Sequence, residues 1–164
     1  MLGGMSEDAR SPSQYASGID AARDRLVAFA NGCTDEQWKA APLDGDPRPV
    51  GVVVDHVAHS YEYLAGWMGQ VLAGEAVTVG NDVVDALNAE HAARAAAVTP
   101  AQAVEHLRRS GAAISRLVAG CTAGDLQAGE GQVERFAEIA IRHADNHGAE
   151  IQAALAASAG RGPG

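Results

Sequence analysis

Aromatic residues make up only 4% of this 164-residue chain, so its core must be filled mainly by Ala, Val, Leu and Ile. Side chains this small suit closely packed helices. The two cysteines, Cys33 and Cys121, are too few and too far apart for a disulfide framework or a thiolate zinc site. Each is expected as a small buried or interfacial residue. Lysine occurs once, at Lys39, and the net charge is −9, so there is no concentrated basic face for nucleic acid. Abundant Ala and Gly, with arginine far outnumbering lysine, read as the mark of a high-GC genome. No apolar stretch approaches the roughly 20 residues that span a bilayer. The opening MLGGMSEDARSPSQ lacks a basic and then apolar leader. These absences predict a soluble, cytoplasmic protein with neither membrane nor nucleic acid as partner.

What is present fits one all-α domain. Residues 1–12 and 159–164 mix Gly, Ser, Pro and charge without periodicity and are expected as flexible tails around a domain at 13–158. A first helix enters near Ser13, carries Ile19, Leu26, Val27 and Phe29, and stops at Asn31-Gly32. Thr34 and Gln37 have the form of a capping box before the Pro-rich APLDGDPRP. From Val50 to Gly74 the apolar positions Val53, Val57, Leu64, Met68 and Val71 keep helical spacing. The Val-rich opening alone would also suit a strand. A shorter helical piece covers residues 81–97. Thr99-Pro100 then caps and opens another helix, which ends at Gly120. The last helix, from about Gln132 to Ser158, is expected to bury Val133, Phe136, Ile139, Ala140, Ile151 and Leu155. The repeated Arg-Leu-Val-Ala and Gly-Cys-Thr around residues 25–34 and 116–122 reads as reuse of a helix exit followed by a Thr cap.

Of six histidines, four come as two pairs, His56 with His59 and His143 with His147. A separation of four puts His143 and His147 on one helix face, where two imidazoles can converge on one ion. Spacing alone favours a solvated surface pair over a metal site. Imidazole suits Zn, Ni, Cu and Fe, and a pair from one helix needs a third donor from elsewhere. His56 shares the stripe of Val53 and Leu64 and is the natural donor, with His59 as a replacement or fourth ligand. His91 and His106, each following a Glu, are expected at the surface. The Glu-x-x-His set of di-iron carboxylate bundles is absent.

The segments VGVVVDHVAHSYEYLAGW and RHADNHGAEIQAAL resemble the DinB/YfiT-like superfamily of metalloenzymes. There a histidine in a phrase like "aHladae" joins two from "HxxxHrgqI". The resemblance implies that His56, His143 and His147 hold a divalent transition metal, zinc first, with nickel or iron as alternatives. Glu150 falls where the family often has Gln, and Ile151 falls on its Ile. The likeness runs over roughly residues 14–157. It implies a four-helix bundle in up-down-down-up order, with residues 75–99 as the long crossover containing a short extra helix. Cys33 and Cys121 would then lie at opposite ends. The stretch VVDALNAEHAARAAAVTPAQAVEHLRRSGAAISRLVAGCT is similar to the mycothiol-dependent maleylpyruvate isomerase branch, which has Glu where this chain has His143.

Three histidines on one ion leave coordination positions open, as catalytic sites do. The resulting expectation is a metal-dependent thiol S-transferase or isomerase that joins a low-molecular-weight thiol such as mycothiol to a small electrophile. His59 and Glu150 are candidate catalytic helpers, as base or as partners of the ligands. A non-catalytic metal-binding, stress-associated bundle and a small-ligand carrier are the alternatives. An alanine-rich helix surface leaves a homodimer open.

Overall fold

A computed structural model describes residues 9–161 of the chain. Seven helices appear among the described residues: α1 Pro12–Gly32, α2 Asp35–Lys39, α3 Val50–Leu72, α4 Asn81–Arg94, α5 Pro100–Ala119, α6 Ala123–Leu126 and α7 Ala128–Ala159. Most of the expected N-terminal tail, residues 1–8, and the last part of the expected C-terminal one, 162–164, lie outside the described residues. α1 begins just inside the expected tail. Ser11 and Gln14 form a capping box, and Pro12 at the first helical position costs no hydrogen bond. The same reciprocal cap starts α2 at Thr34, α5 at Thr99 and α6 at Thr122.

The four long helices make the bundle. α1 packs on α5 and α7, α3 packs on the same two, and α1 and α3 face each other across the diagonal. Paired side chains give the directions. Tyr15 meets Glu134 and Arg25 meets Asp145, so α1 and α7 run the same way. His106 and then Arg109 meet Asp55 and then Glu62, so α3 and α5 also run together. Ser115 reaches back to the Ala16 carbonyl while Gly111 lies against Arg23, so α1 opposes α5. Running α3 and α5 in parallel requires the chain to return between them, and residues 73–99 with α4 make that crossover.

The Val-rich start of α3 is helical because packing overrides the modest helix propensity of β-branched residues. Val50, Val52, Val53, Val54 and Val57 are all buried. The α2 side chain Trp38 covers this end and donates its indole N–H to the Val98 carbonyl at 2.8 Å. A Cβ on Gly51 would lie 2.5 Å from the Trp38 ring, so the close approach needs glycine here. Gly74, at φ 84°, closes α3 in the left-handed conformation. Gly129, Glu130 and Gly131 are also left-handed, so the regular part of α7 starts at Gln132. Ile139 departs from expectation, with 37% of its surface exposed. The buried stripe of α7 passes through Val133, Ala137, Ala140, Ala144 and Ile151, and Ile139 sits about 100° round the helix from Ala140.

Candidate metal centre

His56, near the start of α3, is 2% exposed and faces α7. His143 and His147, one turn apart on α7, come to meet it. The His56 and His143 Nε2 atoms lie 2.8 Å apart, and the three rings sit at centroid distances of 4.8, 5.4 and 4.4 Å. One ligand atom from each residue falls within 4.8 Å of the other two. Burial pushes all three imidazoles toward the neutral form, reinforced by Arg48 in the loop before α3 and, for His56 and His143, by the neighbouring imidazoles. His56 falls to about 2, His143 to about 4, and His147 moves the same way.

The donor set fits a divalent transition metal. Neutral imidazoles present lone pairs, and the three come from two helices. His56 Nδ1 and His147 Nδ1 are buried without a hydrogen-bond partner, a cost that a ligand or a tightened network would offset. Glu150 lies close to one of them, its Oε2 3.6 Å from His147 Nδ1, beyond hydrogen-bond length. Asp46 and Arg48 pair with each other at 2.7 Å beside this group.

The remaining histidines correct the sequence reading. His91 is not at the surface: it is 3% exposed and is the buried residue of α4. His106 is half-buried on α5. Both turn to Asp55, itself buried, with His91 Nε2 on one carboxylate oxygen and His106 Nδ1 on the other, each at 2.8 Å. The second His106 nitrogen, Nε2, reaches Glu62 at 3.0 Å. Burial alone would raise the Asp55 carboxyl, but the His106 and His91 bonds hold it below the usual carboxylate range. His106 moves up from its ordinary value, because the Asp55 bond outweighs burial. The preceding Glu90 and Glu105 made these positions look solvated in sequence. The overlooked signal was Asp55, His59 and Glu62 at spacings of four and three, a polar stripe along a helix that is otherwise apolar.

His59 does not join the three-histidine group. Its ring stacks on His91 at 5.0 Å, and its Nδ1 is 3.5 Å from Glu62. The His91 ring is in turn 5.9 Å from that of His56, so all six histidines gather at one end of the α3 face.

A family model described as the DinB superfamily matches residues 19–151, a span that contains all six histidines. The chain belongs to the DinB superfamily. No curated protein and no solved structure matches it. For this DinB chain, the histidines first read from family-like phrases are the ones the fold brings together. Cys33 and Cys121 are free and take no part in the group. No helix among the described residues is long and apolar enough to cross a membrane.

Proposed function

We propose that this DinB protein is a metal-dependent thiol S-transferase or isomerase in which His56, His143 and His147 hold a divalent ion, zinc foremost and nickel or iron as alternatives. The observation that carries this reading is the convergence of three neutral imidazoles within 4.8 Å, with no carboxylate among them. Three protein donors leave coordination positions open, as in catalytic zinc sites. When bound, the ion supplies positive charge that favours ionisation of a thiol or water in an open position.

The protein's own residues do the rest. Burial keeps the lone pairs of the triad free of protons at neutral pH. Glu150 places its charge 3.6 Å from His147 Nδ1, and His59 lines the adjoining cleft as the candidate base. We infer mycothiol as the thiol, from the likeness of residues 83–122 to the mycothiol-dependent branch, with a small electrophile as second substrate.

Elemental analysis of the purified protein beside His143→Ala tests the site. Near-stoichiometric metal in the first and its loss in the second is expected; equal metal in both overturns the assignment. Conjugation assays with mycothiol, glutathione and bacillithiol against several electrophiles test the reaction. Absence of metal-dependent turnover across that set rejects the transferase reading and leaves the ion as a tie between α3 and α7.

A further inference from the structure

The helix α4 is fastened to the bundle more lightly than the long helices. Of its 14 residues His91 alone is buried; Val83 is 44% exposed, and Val84 and Leu87 are half-buried. It packs mainly on α3, whereas α5 packs on both α1 and α3 and buries Val104, Leu107, Ile114 and Val118. Apolar burial supplies most of the attachment of a helix to its protein, and α4 has little of it. One polar contact stands in its place: His91 Nε2 hydrogen-bonds an Asp55 carboxylate oxygen at 2.8 Å. Asp55 is fixed for this contact from the other side, because its second oxygen meets His106 of α5 at 2.8 Å.

Closure also strands polar atoms. Asn88 Oδ1 and His91 Nδ1 on α4, and Nε2 of the His59 ring stacked on His91, are buried without a hydrogen-bond partner. Each is a cost to the closed form that water relieves when the helix lifts. The chain is pinned on either side. The Val77 carbonyl accepts from Gln132 Nε2 and the Val98 carbonyl from Trp38 Nε1, both at 2.8 Å. Between these pins, residues 78–80 and the turn at 95–97 are the two joints on which α4 can move. His56 lies against the latch: it is 2% exposed, and its ring is 5.9 Å from that of His91.

We propose that α4 is a hinged lid, latched shut by the His91–Asp55 hydrogen bond, whose opening uncovers His59 and the edge of His56 nearest His91. Lifting it also removes one wall of the cleft of about 590 Å³ that Asp55, His59, His91 and Arg94 line. The lid follows from packing and holds with or without an ion at the triad. Only its consequence, entry of a substrate from this side of the metal centre, rests on the proposed function.

Hydrogen–deuterium exchange read by mass spectrometry on the full-length, metal-free protein tests the latch, because it reports local opening. Amides of residues 81–94 should exchange about tenfold or more faster than those of α3 and α5, yet slower than in the denatured chain. His91→Leu keeps the bulk and removes the bond. It should speed exchange of residues 81–94 by a further factor of about ten and leave α3, α5 and α7 as they were. His91→Gln returns an N–H donor and should recover most of the protection. Diethyl pyrocarbonate, which acylates neutral imidazole, reads the uncovering: modification of His56, located by peptide mapping, should rise in His91→Leu in step with the exchange. The proposal is overturned if α4 exchanges in step with α3 and α5 or already as fast as the denatured chain. It is equally overturned by unchanged exchange in His91→Leu, loss of protection across the whole bundle in that variant, no recovery in His91→Gln, or His56 modification indifferent to the latch.

Discussion

Two groups of histidines sit side by side on α3, and adjacent residues begin them. His56 looks toward α7 and meets two further imidazoles; Asp55 looks toward α4 and α5 and meets His91 and His106. In the first group no negative charge touches His56 or His143, so burial and mutual repulsion drive the rings neutral. In the second, a buried carboxylate overrides the same burial and moves His106 the other way. The residue type is shared, and the carboxylate bonded to His106 reverses the direction in which burial moves the ring. The triad is therefore suited to a cation and the Asp55 group to tying α3, α4 and α5 together.

The largest effects should separate the two groups. Asp55→Ala leaves the buried His91 without its partner and His106 with Glu62 alone, and is expected to cost about 3 kcal/mol of stability, read by urea denaturation in chelator. Metal content of the folded variant should stay high. His143→Ala should do the reverse, losing metal while the metal-free protein changes by about 1 kcal/mol or less. If both variants lose metal and stability together, the groups are one network and the distinction fails.

pH should divide them by sign. For His56 and His143 the folded values lie at about 2 and about 4, below the ordinary 6.5 of an unfolded histidine. As pH falls below about 6.5 the unfolded chain takes up protons that the fold refuses. Metal-free protein then loses at most about 1.4 kcal/mol per pH unit for each such histidine, until the folded values are reached. His106 behaves oppositely. Its contribution is complete below about 6.5 and is lost as pH rises through its raised folded value. His106→Gln should therefore be more damaging at pH 6 than at pH 9, in denaturation series at both. A pH-independent cost would remove the charge from the account of this group.

The difference between the groups also explains what could be read from sequence. The triad was legible because His143 and His147 are one turn apart on a single helix, His56 lies on an apolar stripe, and the DinB-like phrases around all three turned a bare spacing into a ligand set. Helix starts at Thr34 and Thr99 were legible for the same local reason, a Thr cap followed by its Gln37 in the first case and by Pro100 in the second. The Asp55 group joins three helices, and its partners are 36 and 51 residues from Asp55 along the chain. No local period carries a contact of that kind. α4 has almost no amphipathic pattern, so nothing in its own sequence marks His91 as its buried side chain. Ile139 failed in the opposite way: an apolar residue near the right stripe was assumed to be on it, and a step of about 100° put it in solvent.

Among the described residues Glu150 is the carboxylate within 4 Å of a triad nitrogen, and it gives the smallest and sharpest test of the contrast. It is more than half exposed, and its oxygen lies 3.6 Å from His147 Nδ1. Burial lowers His147, while the Glu150 charge partly opposes that shift. Glu150→Gln keeps the shape and removes the charge, so His147 loses some basicity and some orientation. A partner of this kind in a buried site is worth 10- to 100-fold in metal affinity, but solvent and salt screen an exposed one, so a loss of about threefold to tenfold is expected. Competition with a chelating dye at low and at 0.5 M salt, where the Debye length has shrunk to about 4 Å, would resolve it, with the loss shrinking as salt rises. A loss beyond about a hundredfold would make Glu150 a ligand in its own right. The triad would then no longer be carboxylate-free, and the division between lone-pair and proton-bearing histidines would have to be redrawn around His147.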